Sequence, residues 1–124
     1  MATKPANTEQ KKWMSDISEW CENNIQILYG NEWLCKPFQL HHVLGRSAKH
    51  NKIAIGHWFI LPVPFELHDV SSNHIWNVTH HKHAFTDVFG SQCSLFDKMC
   101  LSMEDYGYNM PTLKEYLAIM STNA

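Results

Sequence analysis

Arginine is almost missing from this 124-residue chain: Arg46 is the only one, and lysine plus arginine number 10 against 12 aspartate plus glutamate. With histidine neutral the net charge is −2, so the bulk positive charge that holds many proteins on nucleic acid is absent. Any phosphate contact must come from a local cluster. No apolar run approaches the ~20 residues that span a bilayer, and the stretch before Thr8 carries no apolar signal-peptide core. These absences lead to the expectation of a soluble, cytoplasmic protein with no membrane partner. Cys21, Cys35, Cys93 and Cys100 nowhere approach CxxC spacing, which disfavours a cysteine-rich zinc knuckle. Without a secretion signal, a disulfide framework is disfavoured as well, and free, partly buried thiols are expected. Internal repeats and low-complexity stretches are also lacking.

What is present suits a packed globule, with 44% hydrophobic and 18% charged residues. A chain of this length can bury enough surface to complete one compact domain without metal. One feature of the composition stands out. All nine histidines lie between His41 and His83. Imidazole is the commonest metal ligand and the side chain that titrates near neutrality, so the chemistry is expected in that window.

The pattern of apolar residues predicts an α+β chain. Residues 1–6 read as a frayed end. Asn7 and Gln10 have capping-box spacing ahead of an amphipathic helix over residues 8–29, whose face is Trp13, Ile17, Trp20, Cys21, Ile27 and Leu28 and whose end is Gly30. Pro37 excludes helix interior, and Phe38, Leu40 and His42 alternate with Gln39 and His41 as in a short strand. Residues 45–52 read as a polar loop, and 53–63 as a second strand centred on His57 to Leu61 and ended by Pro62 and Pro64. A helix is expected from Phe65 to Val70, broken at Ser71, Ser72 and Asn73. Another is expected from a Thr79 cap to Gly90, a third from Ser91 to about Met103, and a last one from Pro111 with Leu113, Leu117 and Met120 as its apolar stripe.

A hairpin packed on a helix can bring His41 and His42, His57 and His68 together, with His74 just beyond. A catalytic metal site keeps one position open, so three protein ligands are the expected number. Neighbouring strand residues point to opposite faces, which suggests that one of His41 and His42 holds metal while the other takes a proton from an attacking water. Two surface or hydrogen-bonded imidazoles are the plain alternative. A histidine donor set suits zinc or another borderline transition metal such as nickel.

The segments His41-His42-Val43-Leu44-Gly45-Arg46, Gly56-His57-Trp58-Phe59-Ile60-Leu61-Pro62-Val63 and Glu66-Leu67-His68 resemble the HNH, or ββα-metal, endonucleases. Within that group they look closest to the phage recombination-enhancement nucleases of the Ref family. Ala84 to Gly90 is similar to the family's helix ending in aromatic-Gly, and the likeness covers about residues 35–90. It implies a ββα-metal finger (35–90) embedded among additional helices, 1–34 before it and 91–124 after it, as one nuclease domain.

By position, the resemblance makes His41 the first metal ligand, His42 the general base and His68 the helix-borne ligand. His57 falls where the family commonly has Asn, and would fix the geometry around the base. The family often spaces its helix ligands at i and i+4, but Ser72 occupies that place, so His74 is taken as the third ligand through the Ser71–Asn73 break. Asp69 is placed to orient an imidazole. His80 and His81 stand in reserve as ligands, although they and His83 read more simply as structural or surface residues. The cysteine pair that often braces the finger is missing, leaving Cys35 alone. Trp13, Trp20 and Trp33 are expected to brace it by packing instead.

Arg46, Lys49, His50 and Lys52 form the one local basic cluster, on the loop that edges the cleft in the family arrangement, where it would grip DNA phosphates and, through Arg46, steady the reacting one. The resemblance thus implies hydrolysis of DNA phosphodiester bonds with one divalent ion, magnesium or manganese being known in the group beside zinc and nickel. It also implies a place in phage or prophage recombination within a bacterial host cell, with a recombinase filament as a further partner. A non-catalytic, metal-stabilised nucleic-acid-binding or accessory module is the rival reading.

Overall fold

The computed structural model describes residues 4–124, and the chain is mixed α+β. Helix α1 (Thr8–Tyr29) opens with the expected capping box: the Gln10 N–H donates to Asn7 Oδ1, and the Asn7 N–H donates to Gln10 Oε1, both at 2.8 Å. It ends at Gly30, whose φ of 103° lies where side chains are strained. Its buried face includes Trp13, Ile17, Trp20, Cys21 and Leu28, but Ile25 takes the inward place assigned to Ile27, which is exposed. Among the described residues no helix is long and apolar enough to cross a membrane.

After a 3-10 turn at Asn31–Trp33, strand β1 (Phe38–His42) leads into a small hairpin, β2 (Lys49–His50) and β3 (Ile53–Ala54). The expected polar loop therefore contains a strand. Its two-residue turn is Asn51-Lys52, with φ of 51° and 67°, the primed-turn geometry that matches strand twist. Residues 55–59 then turn, so His57 lies on a turn and the second long strand, β4 (Ile60–Pro64), is shorter than expected.

Strand β4 pairs antiparallel with β1, setting His41 opposite Leu61 and His42 opposite Ile60. Pro62 and Pro64 lie inside β4 and do not end it. They sit opposite Leu40 and Phe38 at the alternate positions whose backbone faces away from β1, so no ladder bond is lost. The outward carbonyl of Pro62 accepts instead from the Tyr29 hydroxyl at 2.6 Å.

Every residue of β4 is buried, whereas β1 is half-buried throughout. Strand β4 is thus the anchor, packed on α1 and on α4 (Gln92–Asp105), and β1 is the rim that displays side chains. Phe59 and Phe96 meet edge-on at 5.3 Å, Trp13 meets Phe96 at 6.4 Å, and Trp13, Trp20 and Trp33 are all buried in this core.

Helix α2 (Phe65–His68) stops two residues earlier than expected, because Asp69 turns extended and the chain beyond is captured by Asn77. The buried Asn77 amide donates to the carbonyls of Glu66 and Asp69, and its oxygen accepts the N–H groups of Thr79 and His80. Thr79 accordingly caps no helix. Its hydroxyl bonds the His68 carbonyl at 2.6 Å, and α3 begins later, at Lys82–Phe89. Helix α4 starts where a helix was expected, with Ser91 as its cap. The last helix, α5 (Leu113–Met120), is rotated from the expected stripe: Leu113 and Leu117 are exposed, while Ala118 and Ile119 face the core.

Candidate functional site

The period-2 geometry of β1 splits the two adjacent histidines between two constellations. On one face, His41 meets His68 from α2, with His41 Nδ1 and His68 Nε2 3.1 Å apart. His68 Nδ1 lies 2.5 Å from Gln39 Oε1, and the Gln39 amide nitrogen donates to Asp69 Oδ1 at 3.0 Å. An amide oxygen only accepts, so the His68 proton sits on Nδ1 and the Nε2 lone pair points at His41. The carboxylate expected to orient an imidazole therefore does so through Gln39.

Burial pushes His41 down to about 4, helped by His68 and opposed by the Gln92 side chain. Burial also lowers His68, against the pull of Asp69. Both rings are neutral at pH 7, the form that ligates. Two imidazole nitrogens on one tetrahedral zinc at ~2.0–2.1 Å stand about 3.3 Å apart, so this pair fits a metal ion. Gln92, buried at the start of α4, lies beside this pair.

On the other face, His42 Nε2 lies 3.3 Å from His57 Nδ1, and His57 Nε2 lies 2.8 Å from the carbonyl of Lys4. Of the 1–6 stretch expected to fray, residues 1–3 lie outside the described residues, but Lys4 is held here. The carbonyl fixes the neutral His57 proton on Nε2. His57 Nδ1 then accepts from His42 Nε2, which leaves His42 Nδ1 unprotonated. Burial, His57 and Arg46 all lower the pKa of His42, favouring its neutral form.

The other expected residues divide. His74 does not join His41 and His68: it packs edge-on against Trp33 at 5.9 Å, and its Nδ1 accepts the Trp76 N–H at 3.0 Å. Among the described residues, no three His, Cys, Asp or Glu side chains gather as a metal-binding group. His80 bonds the Val70 carbonyl through Nε2 at 2.8 Å. Arg46 and Lys49 line a cleft with His57, whereas His50 and Lys52 stand on the hairpin outside its lining. Gly56 makes that arrangement possible, since a Cβ there would fall 2.1 Å from the Arg46 carbonyl oxygen.

Sequence reasoning missed Gln39, Gln92 and Lys4. Gln39 carried a signal, being two residues before His41 and thus on its face of the strand. No family model, curated protein or solved structure matches the chain, so its functional reading rests on its own residues.

Proposed function

We infer that this chain is a metal-dependent endonuclease of the HNH, or ββα-metal, kind, hydrolysing DNA phosphodiester bonds. The observation that carries the reading is the approach of two ring nitrogens, His41 Nδ1 and His68 Nε2 at 3.1 Å, set on the ribbon and helix of a β1–β4–α2 unit, one residue from an oriented His42. His41 and His68 would hold one divalent ion, magnesium, manganese, zinc or nickel. That ion, when bound, supplies charge to the scissile phosphate and the departing oxygen.

The chain's own residues do the rest. His42 accepts a proton from the attacking water at Nδ1, the nitrogen that the His57 hydrogen bond leaves free. His57 keeps that tautomer through its bond to the Lys4 carbonyl. Gln39 and Asp69 keep His68 from rotating, as hydrogen-bonded partners of ligating histidines do. Arg46 offers a guanidinium near the base, where charge develops on the phosphate. A role in phage or prophage recombination, beside a recombinase filament, is part of the same proposal.

The orientation of His74 toward Trp33 and Trp76 favours a second reading, a metal-stabilised nucleic-acid-binding module without catalysis. One experiment separates them. Metal-stripped protein is incubated with plasmid and single-stranded DNA, with magnesium, manganese, nickel or zinc added back separately. Metal-dependent cleavage is the expected result, and DNA binding without cleavage under every ion would favour the module.

A further inference from the structure

A cleft of about 630 Å³ separates the segment before α1 from the turn and hairpin that follow β1. Its volume lies in the range of small-ligand sites, about 300–1,000 Å³. Three cations line it, Lys4 from one wall and Arg46 and Lys49 from the other, and no carboxylate does. Among the described residues the single ion pair is Lys12–Asp16, so none of the three spends its charge on an internal partner. In a chain of net charge −2 this is a local concentration of positive potential facing an open cavity. At the start of α1 the Asn7–Gln10 capping box engages the N–H groups of Asn7 and Gln10, and the charged groups that line the cleft are side chains. Pro5, Ala48 and Ala54 also line the cleft and give it small apolar surface that a base can contact. His57 lines the cleft as well and connects it to His42.

We propose that this cleft seats one nucleotide of an unpaired DNA strand, with Lys4, Arg46 and Lys49 on its phosphates and the base laid over the Pro5–Ala48–Ala54 surface. A volume of about 630 Å³ is on the scale of one small ligand such as a nucleotide. The proposal rests on the nuclease reading for its purpose, since it leads the strand past His57 to His42. It also gives Lys4 a second task, because its backbone orients His57 while its ammonium binds substrate.

The test is fluorescence anisotropy with a labelled twelve-nucleotide thymidine strand in EDTA, across a salt series. Lys4→Ala and Arg46→Ala should each weaken binding about three- to tenfold and lower the slope of log affinity against log salt by about 0.7, the loss of one single-strand phosphate contact. Lys98→Ala, on exposed α4 surface outside the cleft, should bind as wild type does. A duplex of the same length should bind more weakly than the strand, and pyrophosphate should compete poorly. Unchanged affinity and slope in both cleft variants would overturn the proposal, as would equal losses in Lys98→Ala or tighter binding of the duplex. The two readings fail separately. Strand binding that depends on Lys4 and Arg46, with no cleavage under any metal, removes the nuclease and keeps the cleft. Cleavage by a wild type whose strand affinity ignores both residues does the reverse.

Discussion

Gln39 is the residue on which the donor geometry of the histidine pair depends. Its amide oxygen accepts from the His68 Nδ1–H and its nitrogen donates to Asp69, so one side chain decides which His68 nitrogen is free. Gln39→Leu removes both bonds while keeping similar bulk, and leaves the ring free to flip. Metal affinity should fall about 10–100-fold, the usual cost of losing such a support, as measured by calorimetric titration of the stripped protein. Unchanged affinity would show that His68 is oriented by something else. That His41 and His42 face opposite sides of β1 was legible in the sequence, because strand alternation is fixed by backbone geometry. The support of His57 by Lys4 was not, since a backbone carbonyl carries no residue identity.

At the scale of elements, a fully buried β4 and a half-buried β1 form a rigid ribbon with one displayed strand. The turn after β1 is pressed onto Gly56, where Ile55 and Gly56 both donate to the Ala48 carbonyl, at 3.0 and 3.1 Å. Gly56→Ala must push the Arg46 backbone away, and should cost roughly 2–3 kcal/mol of stability, read as a lower urea midpoint. Stability equal to wild type would mean that this loop yields without loss. Helices α1 and α4 were readable because their caps and 3.6-residue periodicity agree with the packing they achieve. The β2–β3 hairpin was not, because its turn places Asn51 and Lys52 at positive φ without a glycine to announce it. Helix α2 was overestimated for a tertiary reason: Asn77, nine residues beyond His68, takes over the chain that would have continued it.

For the whole molecule, the core that carries the ribbon also sequesters three thiols. Cys21 and Cys100 are buried and pushed up to about 12, Cys93 is buried against the Ile119 carbonyl, and Cys35 is exposed. Ellman's reagent at pH 8 should therefore titrate one thiol in the native protein and four after denaturation. Two or more fast native thiols would contradict this core. The buried imidazoles make a second demand on the fold. His41, His42 and His68 are all depressed below 6.5, so the unfolded chain takes up protons that the folded one refuses. Their contribution to the stability of the metal-stripped protein should be fully present above pH 6.5 and be lost as pH falls toward 4. Its urea midpoint should be lower at pH 5 than at pH 7.5, and an equal or higher one would contradict the burial of neutral histidines.

In the proposed nuclease, metal binding and proton abstraction belong to different histidines on opposite faces of one strand. Measuring metal affinity and DNA cleavage side by side in His68→Ala and His42→Ala tests it directly. His68→Ala should lose both metal affinity and cleavage, while His42→Ala should bind metal as wild type does and cleave nothing. Cleavage retained in His42→Ala, or metal affinity unchanged in His68→Ala, would contradict it.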